Sequence, residues 1–191
     1  MDNLSDYLSR VFNLPMEAAS MCGMYYTSKD LKKGEVVLRS GEVCRFIYFV
    51  EKGLLRMYSV DRAGKEHIIQ FAPENWMVSD RSSLYFNEKS FYYIDAVEDS
   101  RVLCLSPDFF LNLKKQYPDA VGNNDLILHK HIRNIQNRVN SLLAETAQER
   151  YLGFIRMYPN ILQRVPQWMV ASYLGITPES LSRVRKELVK K

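Results

Sequence analysis

Residues 171–188 read ASYLGITPESLSRVRKEL, with apolar residues at the spacing expected of two helices joined by a tight turn. Ala171 is small enough to let the two helices cross closely, and Gly175 supplies the turn between them. The second helix then begins favourably. Thr177 is a good N-cap, Pro178 suits the first helical position, and Glu179 places an acidic residue in the first turn. The stretch therefore predicts a helix-turn-helix.

The second of these helices is predicted to have two different faces. Its apolar residues, Leu181, Val184 and Leu188, would pack on the first helix and leave a polar, basic face free. Arginine can donate two hydrogen bonds to guanine, glutamate can accept one from cytosine, and hydroxyl and lysine side chains suit phosphates. The candidate DNA-binding residues are Thr177, Glu179, Ser180, Ser182, Arg183, Arg185 and Lys186.

The distribution of charge supports this interpretation. Residues 127–191 carry 11 Lys or Arg and 4 acidic residues, net +7, whereas the residues before them carry 15 and 18, net −3. An αα-hairpin packed only for stability, with a solvated charged face, is the alternative. Such a hairpin would not need the alanine, the glycine and the capped second helix at these intervals, so we favour a polyanion as partner.

The composition, with 47% apolar and 25% charged residues in 191, is that of a globular protein of one large or two small domains. No apolar run of about 18 residues is present to span a bilayer. The start, MDNLSDYLSR, lacks the basic region and apolar core of a secretory signal. We therefore expect a cytoplasmic protein that does not associate with membranes.

Metal, cofactor and catalytic sites are not indicated. The cysteines, Cys22, Cys44 and Cys104, are odd in number, widely spaced and form no C-x-x-C pair. His129 and His131 are two apart on a predicted helix and point in different directions. A metal-dependent enzyme of the cupin type would need several histidines in the strands, which offer only His67. We expect no metal, no cofactor and no catalytic residues.

Between Leu31 and Leu105 the sequence has short β-rich runs separated by turn signals. Their regular spacing of about 8 to 12 residues is typical of a sandwich or barrel. The six runs are EVVLR, RFIYFVEK, LLRMYSV, HIIQFA, FYYIDAV and RVLCL. A short helix ending before Pro15 precedes them, and residues 107–117 form another.

The hydrophobic period then changes to that of a long helix. Its apolar residues are spaced 4, 3, 4 and 3 apart, which is a heptad seam of about two heptads: Leu128, Ile132, Ile135, Val139 and Leu142. Upstream, Asp125 interrupts the seam, although Val121 would extend it. By pattern alone, the seam could pair with a second copy or pack on its own domain. The segment ETAQERYL opens an all-helical domain near residue 145.

The chain as a whole resembles the Crp/Fnr family of bacterial transcription regulators. The β-rich segment, with its LRSGE turn and EKGLLR step, is similar to the family's cyclic-nucleotide-binding-like jelly roll. TAQERYL resembles the start of the family's DNA-binding domain, and ITPESLSRVRKEL its recognition helix. The resemblance implies an α+β fold with a double-stranded β-helix (jelly roll) sensor domain over residues 1–118, a dimerisation helix over 119–144 and a helix-turn-helix domain over 145–191.

The resemblance also implies a homodimeric, sequence-specific regulator that binds a two-fold site in double-stranded DNA. Glu179 and Arg183 match the pair that reads bases in members binding TGTGA-type sites, whereas Pro178 cannot donate the further contact that some members make. RNA polymerase and a small-molecule effector are the other implied partners. The implied dimer interface is Val121, Leu128, Ile132, Ile135, Val139 and Leu142. A ligand-binding module that acts through a protein partner is the alternative function.

The effector pocket departs from the nucleotide-binding members. Those members hold the phosphate with a Gly-Glu step and an Arg-Ser or Arg-Thr step, and residues 71–96 contain no glycine and no arginine near Lys89. We therefore expect an effector other than cyclic AMP, or none, with Ser79, Arg81 and Ser82 as candidate ligands for another anion. The aromatic and methionine residues here are interpreted as core rather than pocket lining: Trp76, Met77, Tyr85, Phe86, Phe91, Tyr92 and Tyr93.

Overall fold

The computed structural model describes residues 3–12, 14, 26–117 and 122–189. Eight strands form two four-stranded antiparallel sheets, ordered β1-β8-β3-β6 and β2-β7-β4-β5. The strands are β1 (Tyr26–Leu31), β2 (Val36–Leu38), β3 (Ile47–Lys52), β4 (Leu55–Val60), β5 (Glu66–Ala72), β6 (Met77–Val78), β7 (Tyr93–Ala96) and β8 (Ser100–Leu105). The predicted double-stranded β fold is confirmed.

The helices divide between the sensor sheets and the C-terminal part. They are α1 (Asn3–Phe12), α2 (Arg81–Phe86), α3 (Pro107–Gln116), α4 (Gly122–Ala144), α5 (Ala147–Met157), α6 (Gln167–Leu174) and α7 (Pro178–Val189). A 3₁₀ turn, Ile161–Gln163, joins α5 to α6. Thr146 and Glu149 form a reciprocal capping box at the start of α5, which fixes where the helical domain begins. None of the described helices is both long and apolar enough to cross a bilayer.

The six predicted runs correspond to β2, β3, β4, β5, β7 and β8. Sequence patterns missed β1 and β6 for different reasons. In β1 four successive residues are exposed, so the strand has no apolar alternation. β6 has only two residues. Both are recognisable as strands only through their pairing, β1 with β8 and β6 with β3.

Three buried clusters hold the structure together. One lies between the two sheets and includes Val50, Leu55 and Ile94. A second packs α1 and α3 against β3 and β8, with Phe49 and Phe109 at its centre. The third cluster is shared by both domains.

In this shared cluster, α5 and α6 pack on the outer side of β4 and β5. Its centre is a group of four aromatic rings, Phe71, Phe154, Tyr158 and Tyr173, whose centroids lie 5.2 to 6.1 Å apart in every pairing. Edge and tilted contacts of this kind add to the free energy of burial. The helical domain therefore rests directly on the sensor sheet, in addition to its covalent link through α4.

Candidate nucleic-acid interface

The turn between α6 and α7 has the geometry that its sequence predicts. Gly175 ends α6 in the left-handed conformation, with φ 65°, where a side chain would be strained. Its N–H donates to the carbonyl of Ser172 at 3.1 Å, and the N–H of Ile176 donates to the carbonyl of Ala171 at 3.0 Å. These bonds close the end of α6 and set the direction in which α7 leaves.

The start of α7 is capped by Thr177. The N–H of Ser180 donates to the Thr177 hydroxyl oxygen at 3.2 Å, and the Thr177 hydroxyl donates to the Ser180 hydroxyl at 3.2 Å. Pro178 is the first helical residue, as predicted. The cap uses the Thr177 hydroxyl as both donor and acceptor, but it leaves the Ser180 hydroxyl proton free to donate to a phosphate.

The two faces of α7 separate as the sequence predicts. Leu181 and Val184 are 1% and 7% exposed. At about 100° per residue, Glu179, Arg183 and Lys186 project from the opposite side. Ser182 lies beside them, while Ser180 and Arg185 flank the buried stripe on either edge. Six of the seven candidate DNA-binding residues are exposed and Ser180 is half-buried, so the structure collects the whole set on the accessible surface of α7.

Glu179 and Arg183 lie one helical turn apart at the centre of this surface. A hydrogen bond from the Glu179 backbone N–H, with the nearby charge of Arg183, holds the pKa of the Glu179 carboxyl below its usual value. The carboxylate is therefore ionised at neutral pH, where it can accept but not donate a hydrogen bond.

The heptad residues of α4 lie along one side of the helix and are only partly covered by the described part of the chain. Leu128, Ile132, Ile135, Val139 and Leu142 are 43%, 42%, 51%, 50% and 39% exposed. The seam is therefore not fully buried by the described residues, and its pairing with a second copy stays a prediction. Leu143, 83% exposed, adds an apolar residue beside the seam that the heptad pattern does not include. Val121 lies outside the described residues.

The candidate effector residues do not converge on one point. Ser79 and Arg81 are half-buried and Ser82 is exposed. Arg81 lies at the start of α2, with its guanidinium carbon 5.5 Å from the ring centroid of Tyr85. Arg81 also acts on α4: burial and the charge of Arg81 together lower the pKa of His131 on that helix. The structure does not test these residues as ligands, and they stay a prediction.

The polar groups buried in this segment are ones that the sequence interpretation did not select. Asp80 is 5% exposed, and its carboxylate accepts hydrogen bonds from the Ser83 N–H at 3.2 Å and the Ser90 hydroxyl at 2.8 Å. The Ser83 hydroxyl oxygen accepts from the Cys44 N–H at 2.8 Å. An aspartate directly before a short helical run is a recognisable N-cap signal, and it could have identified Asp80.

Three aromatic residues near this segment contradict the interpretation that they belong to the core. Tyr85, Phe86 and Phe91 are 55%, 73% and 81% exposed. Residue type alone misled the prediction: Tyr85 and Phe86 lie at the exposed end of α2, and Phe91 lies in the loop before β7. Trp76, in contrast, packs against the shared cluster.

Cys44 and Cys104 are free and buried, and burial raises the pKa of both thiols. Cys22 lies outside the described residues. Among the residues that the structure describes, no three His, Cys, Asp or Glu side chains come together as metal ligands would.

Two facing sheets, a long helix with a partly exposed apolar seam and a capped, exposed second helix define a class of protein, a double-stranded β domain linked to a helix-turn-helix.

Comparison with known proteins agrees with this class. The family model described as "Cyclic nucleotide-binding domain" matches residues 28–117. The "Anaerobic regulatory protein" of Pasteurella multocida is 24% identical over 173 residues, covering 85% of this chain and 63% of the relative.

Two solved structures share the fold over most of their length. FixK2 from Bradyrhizobium japonicum has a TM-score of 0.73 at 18% identity, covering 86% of this chain and 85% of that one. The catabolite activator protein of Thermus thermophilus has a TM-score of 0.60 at 20% identity, covering 96% and 87%. Over most of its length the chain is therefore similar to transcription regulators of the Crp/Fnr type. It spans 63% to 69% of the length of three of the curated relatives to which it is similar. These relatives are named as regulatory proteins.

Proposed function

We propose that the chain is a sequence-specific DNA-binding transcription regulator that acts as a homodimer. The observation that supports this most is the outer face of α7, where Glu179, Arg183 and Lys186 project together from a helix that is capped by Thr177 and anchored by buried Leu181. A helix held in this way presents its side chains in fixed positions, as reading a base edge requires.

The face of α7 fits a major groove about 12 Å wide. Arg183 donates two hydrogen bonds to guanine, and the ionised Glu179 accepts one from the amino group of cytosine. Phosphate contacts fall to the residues around this pair, which are Thr177, Ser180, Ser182, Arg185 and Lys186. The base contacts at the centre of the face thus give specificity, and the phosphate contacts around them give affinity.

Two copies pair through the seam of α4, and Val121 extends the interface toward the N-terminal end. Five partly exposed apolar side chains on one stripe are the surface that a second identical helix would cover. A two-fold dimer then places its two α7 helices on half-sites about one helical turn, or 34 Å, apart.

The sensor domain takes an effector other than cyclic AMP, or none. In the nucleotide-binding members the phosphate lies against the stretch that matches the start of α2. Here that position holds the buried carboxylate of Asp80, already engaged by Ser83 and Ser90. A second anion beside this carboxylate would be repelled. Arg81, Ser79 and Ser82 remain the candidate contacts for a different small molecule, and RNA polymerase is the proposed protein partner of a DNA-bound dimer.

Selection of bound duplexes from a randomised library, followed by titration at two salt concentrations, tests the proposal. We expect enrichment of a two-fold palindrome and a steep loss of affinity with salt. Arg183→Ala should reduce affinity for the selected duplex by about 5- to 100-fold and relax the preference at one base pair. Arg133→Ala, an exposed arginine on α4, is the matched control.

Sedimentation should show that both variants remain dimers. If the Arg183→Ala variant and the wild type bound the selected duplex with equal affinity, the base-contacting role of Arg183 would be contradicted. Weak binding without any enriched sequence would favour the alternative, in which the helical domain docks a protein partner.

A further inference from the structure

The open edge of a sensor strand is where the helical domain is attached. β5 is the last strand of its sheet, and β4 pairs with it on one side only. The backbone groups on the other side of such a strand need partners from elsewhere. In this chain, side chains of the helical domain and of α4 supply them.

Ser172 of α6 binds β5 in the way a neighbouring strand would. Its hydroxyl oxygen accepts from the N–H of Ile68 at 3.0 Å, and its proton is donated to the carbonyl of Glu66 at 3.0 Å. Further along the strand, the hydroxyl of Tyr158 donates to the carbonyl of Phe71 at 3.4 Å. Ser172 therefore joins α6 to β5 through both a donor and an acceptor of the same strand.

Arg138 joins α4 to the same junction. Its guanidinium donates to the carbonyl of Tyr173 at 2.7 Å and to that of Ile68 at 3.5 Å. The guanidinium carbon lies 3.6 Å from the ring centroid of Tyr173, close enough for a cation–π contact. One residue of the dimerisation helix therefore holds a sensor strand and the first helix of the helix-turn-helix.

The turn that follows is also in contact with α4. A methyl carbon of Leu142 lies 3.2 Å from the position that a Cβ on Gly175 would occupy. α6 and its turn are thus held between β5 on one side and α4 on the other. Because α7 leaves directly from this turn, its direction depends on how both elements hold α6.

We propose that Arg138 and Ser172 are positioning residues that set the angle of α7 relative to the α4 seam, so that sensor, dimer axis and reading helix are coupled at one junction. The proposal rests on the DNA-binding function proposed above. Neither residue belongs to the exposed face of α7 or to the seam. Substituting them is therefore expected to change the geometry of the dimer. The measurement that reports this change is the preference of the dimer for a given half-site spacing.

The test compares Ser172→Ala, Arg138→Gln and Arg138→Lys in the full chain, with Ser28→Ala and Arg133→Gln as matched controls at exposed positions. Hydrogen exchange at the Ile68 amide reports the junction without any DNA, and Ser172→Ala should speed it by about tenfold or more. Operators whose half-sites differ by one base pair in spacing report the angle of α7.

We expect Ser172→Ala and Arg138→Gln to lose about fivefold in affinity for the preferred spacing, the effect of about one hydrogen bond, and to discriminate less between spacings. Arg138→Lys, which keeps the charge but not the fork of donors, should fall between Arg138→Gln and the wild type. Both controls should keep the wild-type exchange and spacing preference.

The outcomes separate this proposal from the proposed function. A wild-type protein that selects no duplex refutes both DNA binding and the positioning role. If the wild type binds its operator and the variants exchange faster at Ile68 but keep wild-type affinity and spacing preference, only the positioning role is refuted. Unchanged exchange at Ile68 in Ser172→Ala refutes the junction itself.

Discussion

Alanine at Gly53 should destabilise the chain far more than alanine at Gly64, although both glycines have a positive φ, 92° and 80°. A left-handed backbone costs an alanine about 1 to 2 kcal/mol at either position. At Gly64, in the turn between β4 and β5, no atom lies within 4 Å of the added Cβ, so this penalty is the whole effect.

At Gly53 the added Cβ would lie 2.7 Å from the Cα of Ser100, a backbone atom at the start of β8. Moving Ser100 disturbs two buried hydrogen bonds, in which its hydroxyl oxygen accepts from the Leu54 N–H at 3.1 Å and its proton is donated to the Glu98 carbonyl at 2.7 Å. Each bond is worth about 1 kcal/mol, and overpacking costs about 1 to 3 kcal/mol more. The total for Gly53→Ala is about 4 to 7 kcal/mol.

Thermal unfolding followed by circular dichroism measures the difference. For a chain of this size about 1 kcal/mol lowers Tm by about 2 to 4 °C, so Gly53→Ala should melt about 10 °C below Gly64→Ala. The Gly53 N–H also donates to Glu74 at 3.0 Å, and Glu74 binds Arg164 of the helical domain, so the damage should extend to the domain contact. Equal Tm values for the two variants would show that β8 yields without cost and would refute the reasoning.

Three further predictions concern the domain contact, the seam and the cap. Burial raises the pKa of Glu74, but the hydrogen bond from Arg164, the backbone N–H groups of Glu74 and Gly53 and the charge of Arg164 together outweigh burial and leave that pKa below its usual 4.5. The stabilisation is therefore complete above pH 4.5 and lost as the pH falls through the lower native pKa, so the Tm advantage of the wild type over Arg164→Gln should shrink below pH 4.5. An advantage that stays constant from pH 7 to about pH 3 would contradict this linkage. Ile135→Asp should raise the dimer dissociation constant by at least about 100-fold in sedimentation, whereas Asn137→Asp, exposed but off the seam, should not; equal effects would contradict pairing through this stripe. Thr177→Ala should lower stability by about 1 kcal/mol in urea unfolding, and Thr177→Ser should restore it, because only the hydroxyl caps α7.

The parts of the structure that sequence patterns predicted are those determined by near neighbours in the chain. The cap of α7 joins residues three positions apart, Thr177 and Ser180, and the turn at Gly175 uses carbonyls within five residues. The apolar spacing of the heptads is likewise local. These elements therefore follow from helix geometry and capping alone.

The contacts that the sequence did not indicate join distant residues. Ile68 and Ser172 are 104 positions apart, and Glu66 and Ser172 are 106 apart. A serine in the middle of α6 has no local feature that marks it as the partner of an edge strand. The exposed position of Phe86 was missed for a related reason, because its burial depends on where α2 points and not on residue type.

The covering of β5 has a consequence for the stability of the sensor domain alone. An edge strand with open N–H and C=O groups is a template on which another chain can add a strand, and apolar residues such as Ile68 and Phe71 favour that addition. In the intact chain Ser172, Tyr158 and Arg138 occupy those groups. A sensor domain cut from its helical domain would expose them and join edge to edge with its own copies. The helical domain thus covers an edge at which the sheet could otherwise accept another strand.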